Sequence, residues 1–94
     1  MLTLIITFTV TGDPEKFRTA QSAVIAHASR LPGFGGSRLH RSLTDPNVYV
    51  EVVEWADADT HRAAVADPDF RLLLGEMGEH ATAASDRFEA LAPH

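Results

Sequence analysis

The sequence predicts one α+β domain, residues 1–94, whose elements follow the order β-α-β-β-α-β. Residues 2–10 and 48–55 have the apolar and β-branched residues of strands, and a turn separates the second of them from another strand at 34–43. Apolar residues at helical spacing follow the first strand and again follow the third. This succession is the ferredoxin-like pattern, in which helices cover one face of the sheet.

Local signals place the first strand and the first helix. Residues 2–10 alternate between apolar side chains and threonines, with Ile5 as the exception. Asp13 is a typical N-cap, and Pro14 suits the first position of the helix that follows. Pro32 and Gly33 end this helix.

The second and third strands form a hairpin whose register decides which side chains share a face. If turn residues 44–47 leave Leu43 opposite Val48, then His40 faces Glu51 across the two strands. A loop with an odd number of residues would reverse this assignment, because a slip by one residue turns a strand over.

The rest of the chain is predicted to hold two further helices and a last strand. An aspartate that follows Trp55 caps a short helix that ends near Ala66. A second helix begins at Asp67-Pro68 and ends at the small residues 81–84, and residues 85–91 form the last strand.

The assumed register gives the hairpin one mixed and one aliphatic face. The mixed face is expected to lie under the helices and to line a cavity; its candidate substrate-binding or catalytic residues are Phe34, Arg38, His40, Tyr49, Glu51 and Trp55. The aliphatic face is expected to meet a second copy of the sheet in a homodimer, through Leu39, Leu43, Val48, Val50 and Val52. His61, early in the following helix, is expected to point over the same cavity.

The pair His40 and Glu51 is the strongest candidate for proton transfer, since histidine is the usual general base and a carboxylate can orient it. The alternative is an ordinary cross-strand ion pair at a sheet edge. Trp55 is either a wall of the pocket or a core aromatic residue.

Composition and motifs exclude several kinds of function. Thirteen acidic against eight basic residues give a net charge of −5, which argues against nucleic-acid or anionic-membrane binding. There is no cysteine, and no histidine pair has the i and i+4 spacing of a helical zinc site, so no metal is expected. No apolar segment approaches membrane-spanning length, and we expect a soluble, cytoplasmic protein.

Several stretches together resemble the antibiotic biosynthesis monooxygenase family. They are Pro32-Gly33-Phe34, Leu39-His40-Arg41-Ser42, Asp45-Pro46, Tyr49-Val50, Glu54-Trp55 and Ala66-Asp67-Pro68 with Phe70. The resemblance covers nearly the whole domain and implies a dimeric α+β barrel of ferredoxin-like subunits. It also implies oxidation of a small polycyclic phenol, anthrone or quinol by O2 without flavin, haem or metal, so that no cofactor is expected.

The family's functional positions carry over only in part. Trp55 matches a tryptophan of the family, whereas Glu51 stands where such enzymes often have asparagine and His61 where they have an aromatic residue. A second tryptophan and an arginine of the family correspond to about Ala28 and Leu74 and are missing.

The resulting hypothesis assigns a role to each candidate. Glu51, assisted by His40, removes a substrate proton; Trp55 stacks on the ring; and His61 or Arg38 stabilises the oxyanion. Two alternatives remain open at this point: a cyclase or isomerase that uses the same dyad, and a dimeric binding protein without catalytic activity.

Overall fold

A computed structural model of the chain, which describes residues 1–92, contains four strands and three helices. They are β1 (Leu2–Val10), α1 (Pro14–Ala28), β2 (Phe34–Arg41), β3 (Val48–Trp55), α2 (Ala58–Ala66), α3 (Pro68–Gly78) and β4 (Ala81–Glu89). The strands form one antiparallel sheet in the order β2-β3-β1-β4. The predicted ferredoxin-like α+β fold is thereby confirmed. The last two residues of the predicted domain, 93 and 94, lie outside the described range.

Aspartate side chains begin the three helices. Asp13 accepts a hydrogen bond from the Glu15 amide at 2.8 Å, as predicted from its place before Pro14. Asp57 forms a capping box with Thr60, whose hydrogen bonds lower the pKa of the Asp57 carboxyl group.

Asp67 joins the first and third helices. Its Oδ2 accepts from the Phe70 amide at 2.9 Å and lies 2.8 Å from Nε2 of His27. The bond from the Phe70 amide, followed by the bond from His27, lowers the pKa of the Asp67 carboxyl group. This contact fixes the end of α1 against the start of α3, above one end of the sheet.

The last strand begins earlier than the sequence suggested. We predicted that the helix would extend to residues 81–84 and that the strand would begin at residue 85, but α3 ends at Gly78 and Ala81 already pairs with Val10. Residues 81–84 are small and show neither the helical nor the strand spacing of apolar side chains. Their conformation therefore follows from pairing with β1, whose edge needs hydrogen-bond partners along its whole length.

The predicted hairpin register is wrong by one residue. The Ser42 amide donates to the Val48 carbonyl group at 2.8 Å, so the loop between the paired residues is 43–47, which has an odd length. The Ser42 hydroxyl group accepts from the amides of Thr44 and Asp45, and these bonds start the turn one residue earlier than assumed.

This shift turns β2 over relative to the prediction. Leu39 pairs with Glu51, and His40 pairs with Val50, so His40 and Glu51 lie on opposite faces of the sheet. A bulge between Phe34 and Gly36 shifts the register back for the first residue of the strand. Phe34 pairs with Trp55 and shares its face, as predicted, because the bulge compensates for the slip.

The outer face of the sheet carries no helix among residues 1–92. Val48, Val50 and Val52 lie on this face, as predicted, and are half-buried by their neighbours. Leu39, however, lies on the helix side and packs against the core. Leu43 lies in the loop and is fully exposed, so neither leucine belongs to the predicted aliphatic face.

No helix in the described part of the chain is long and apolar enough to span a membrane. The cytoplasmic location expected from the sequence stays a prediction.

Replacing Gly33 by alanine should destabilise the fold. Gly33 has a φ of 85°, and a Cβ atom there would overlap the side chain of Thr60 in the capping box of α2. We expect G33A to lower the free energy of unfolding by more than about 1 kcal/mol, measured by urea denaturation. G12A is the matched control, because a Cβ atom at Gly12 meets nothing within 4 Å. Equal midpoints for the two variants would contradict the argument.

Candidate active site

A cavity of about 440 Å³ lies between the helix side of the sheet and the three helices. Its walls are mainly apolar and come from every helix and from all four strands. The lining residues are Leu4, Ile6, Val24, Ile25, Ala28, Phe34, Glu51, Val53, Trp55, His61, Val65, Phe70, Leu74, Met77, Ser85, Asp86 and Arg87. Apolar walls with a few polar groups are typical of a site for a small organic molecule.

Glu51 is the buried carboxylate of this cavity. It lies near the middle of β3, opposite Ile6 of β1, and only 3% of its surface is exposed. Its Oε2 accepts a hydrogen bond from Nε2 of Gln21 at 3.0 Å and a second from the hydroxyl group of Ser37 at 2.5 Å. These two contacts join β3 to α1 and β2 and compensate for part of the hydration that the carboxylate has lost.

Three rings surround Trp55 at one end of the cavity. Their centroids lie 5.4 Å away for Phe34, 5.8 Å for His61 and 6.5 Å for Phe70. The first and last of these are edge-to-face contacts, an arrangement favoured between aromatic rings. Trp55 is 2% exposed, so it contributes a firmly held apolar surface to the cavity.

His61 and Arg87 line the cavity from the first turns of α2 and from β4. Burial lowers the pKa of the His61 imidazole, and the positive charge of Arg87 lowers it further. His61 is therefore a neutral ring at pH 7, with one nitrogen that donates a hydrogen bond and one that accepts. Arg87 is the only arginine or lysine among the lining residues.

Three of the predicted site residues do not line this cavity. His40 and Arg38 lie on the outer face of β2, because of the register shift, and His40 is exposed with Nδ1 3.3 Å from the Val50 carbonyl oxygen. The predicted His40 and Glu51 dyad is therefore wrong. Tyr49 shares the face of Glu51 but is covered by Phe17 of α1, at 5.1 Å between ring centroids, and belongs to the core.

The sequence reasoning missed three residues of the site. Gln21 was detectable, since it is the one polar residue in a buried α1 stripe that it shares with Phe17, Val24 and Ala28. Ser37 and Arg87 had no local signal, because their positions depend on the bulge in β2 and on the early start of β4.

The site combines one buried carboxylate, one neutral imidazole and one guanidinium group around an apolar space. Among residues 1–92, no three histidine, cysteine, aspartate or glutamate side chains come together as metal ligands. The polar groups present can remove a proton from a bound molecule and stabilise the negative charge that results.

Comparisons of sequence place the chain among known proteins. A family model described as antibiotic biosynthesis monooxygenase matches residues 1–73. Deoxynogalonate monooxygenase of Streptomyces nogalater is 36% identical over 69 residues, which make up 73% of this chain and 58% of that protein. The match thus covers little more than half the length of this curated relative.

Comparisons of structure agree. The crystal structure of SnoaB, a cofactor-independent oxygenase from Streptomyces nogalater, superposes with a TM-score of 0.93 at 30% identity and covers 98% of this chain and 94% of its own. A conserved protein of Bacteroides thetaiotaomicron superposes with a TM-score of 0.86 at 21% identity over 95% of this chain and 96% of its own, which shows a shared fold alone.

The state of His61 can be tested by titration. We expect the His61 imidazole to titrate below the ordinary value of 6.5, in NMR spectra of the ring nitrogens. R87Q should raise the midpoint but leave it below that value, because burial is the larger cause. R62Q removes an exposed cation from the same helix and should leave the midpoint unchanged.

The lowered pKa of His61 also makes the stability of the fold depend on pH. Because the folded protein binds this proton less readily than the unfolded chain, His61 reduces stability as the pH falls below about 6.5. A midpoint at or above 6.5 in the wild-type protein would contradict both statements.

Proposed function

Because the chain belongs to the antibiotic biosynthesis monooxygenase family, we propose that it is a cofactor-independent monooxygenase that oxidises a small polycyclic phenol, anthrone or quinol with O2. The observation that carries the proposal is Glu51, a buried carboxylate in the wall of an otherwise largely apolar cavity. A carboxylate in this setting is suited to act as a general base towards a weakly acidic substrate.

The shape of the cavity supports a flat, apolar substrate. Trp55 and Phe34 offer aromatic surface at one end, and aliphatic side chains of β1 and the helices form the remaining walls. The proposed substrate class matches this lining, and the related enzymes named for deoxynogalonate oxidation and cofactor-independent oxygenation support the reaction type.

In the proposed first step, Glu51 takes a proton from an acidic C–H group of the substrate. The electron pair of that bond stays on the substrate, which becomes an electron-rich anion. His61 can donate a hydrogen bond to the oxygen that shares this negative charge, and Arg87 adds a positive field from β4. These two residues take the role that the sequence had assigned to His61 or Arg38.

The anion then reduces O2 and forms a C–O bond, which gives a peroxide that receives the proton from Glu51. Loss of the second C–H proton breaks the O–O bond and leaves a carbonyl group on the substrate. The departing hydroxide takes this proton and leaves as water. One oxygen atom enters the product and the other becomes water, and all the electrons come from the substrate, so no external reductant is needed.

We further propose that two copies associate through the outer face of the sheet. Val48, Val50 and Val52 lie there beside the exposed side chains of Ile5 and Phe88. A patch of apolar side chains on a sheet face without a helix layer is typical of the face-to-face packing of two sheets.

Oxygen uptake with an anthrone such as dithranol tests the role of Glu51. E51Q should lower kcat by about 100-fold or more, because the amide cannot serve as the base. Binding of an anthraquinone should be retained, measured by quenching of the single tryptophan, Trp55, which lines the cavity.

E54Q is the matched control. Glu54 lies three residues further along the same strand but on the outer face, so its amide variant should keep wild-type turnover. Wild-type turnover by E51Q would refute the proposed base. Product formation without O2 would indicate a cyclase or isomerase instead, and ligand binding without turnover of any substrate would indicate a binding protein.

The proposed dimer is tested by sedimentation velocity at micromolar concentration. V50K places a charge at the centre of the outer face and should yield monomers, because burying an unpaired ammonium group is costly. L72K changes an exposed leucine on α3 and should leave the dimer intact. A monomeric wild-type protein would contradict this assembly.

A further inference from the structure

Two polar residues behind the cavity have no place in the reaction described above. We propose that Gln21 and Ser37 are positioning residues that hold Glu51 by its Oε2 atom and so present Oε1 to the substrate. This inference rests on the proposed function, since it assumes that Glu51 is the base.

The two contacts reach the same atom from different elements. Nε2 of Gln21, on α1, lies 3.0 Å from Oε2 of Glu51, and the hydroxyl oxygen of Ser37, on β2, lies 2.5 Å from it. Both partners donate, Gln21 through its amide N–H and Ser37 through its hydroxyl group. Oε2 is therefore held between the helix that covers the sheet and the strand next to β3.

The other oxygen is left available. Within residues 1–92, Oε1 of Glu51 has no hydrogen-bond partner. Every side-chain nitrogen or oxygen of this range that is sealed from solvent does have one. Oε1 is therefore not sealed, although Glu51 as a whole is 3% exposed. Since Glu51 lines the cavity, the accessible atom faces the space where the substrate would bind.

Neither supporting residue lines that space. Gln21 and Ser37 therefore act through Glu51, without contact to the substrate. Two donors on Oε2 direct an incoming proton to Oε1, because a proton on Oε2 would displace one of the existing hydrogen bonds. The same two bonds resist rotation of the carboxylate, and the orientation of a catalytic group strongly affects the rate of proton transfer.

The test separates turnover from binding. Q21M and S37A each remove one donor at similar size, and we expect kcat for dithranol oxidation to fall by about 10- to 100-fold in each. KM, and quenching of Trp55 by an anthraquinone, should change little, because neither residue touches the substrate. S37T keeps the hydroxyl group and should restore most of kcat.

Two further variants control for damage to the fold. S22A alters an exposed serine next to Gln21 and should match the wild-type protein. In an E51Q background, Q21M should cause no additional loss of the residual rate, because the group that it positions is gone. If Q21M does not fold, S37A and S37T still decide the question.

The outcomes distinguish this inference from the proposed function. If E51Q is inactive while Q21M and S37A turn over at the wild-type rate, the positioning role is refuted and the base stands. If E51Q is fully active, the proposed base itself fails. Equal losses in S37A and S37T, or a further loss on adding Q21M to E51Q, would also overturn the positioning role.

Discussion

Burial of the Glu51 carboxylate beneath α1 is the constraint on which the rest of the molecule depends. A carboxyl group that is 3% exposed needs hydrogen-bond partners, and the chain provides two of them, one from the helix over the sheet and one from the strand next to β3. Gln21 can reach Glu51 only if α1 lies directly over the middle of the sheet. Ser37 can reach it only in the observed register, because a slip by one residue would bring Arg38 to the helix side instead. The position of α1 and the pairing of the hairpin are thus linked through one side chain.

The same arrangement divides the helix side of the sheet into a filled half and an open half. Phe17 packs between Phe8 and Tyr49, with ring centroids 5.1 Å apart in both pairs, and leaves no space there. Beyond Gln21, the α1 stripe continues with smaller residues that end at Ala28, and the sheet carries β4, whose residues after Ala81 are all exposed. The cavity lies in this second half, where the helices do not cover the sheet completely. Glu51 stands at the boundary, between Tyr49 of the filled half and Val53 of the cavity wall.

How much of this could be read from the sequence depends on how far each local signal restricts the conformation of the chain. The helix starts were predictable, because Asp13 and Asp67 act on amides two or three residues away. The faces of β1 and the outer position of Val50 were predictable, because successive side chains of a strand point to opposite faces. The register of β2 was not, because it depends on how the Ser42 hydroxyl group folds the turn. This turn places His40 on the opposite face of the sheet from Glu51, so the predicted dyad does not form.

The identity of residue 51 and the nature of its neighbours are complementary. The resemblance to the family implies that such enzymes often have asparagine at the position of Glu51, and an amide would carry its own N–H donors into this site. Here the surrounding groups are themselves donors, the amide nitrogen of Gln21 and the hydroxyl group of Ser37, which suit an acceptor-only carboxylate. The carboxylate at residue 51 is therefore matched by donors on two other elements. Such matching is expected if the carboxylate has a specific orientation to maintain, and it ties the chemistry of the cavity to the pairing that forms the sheet.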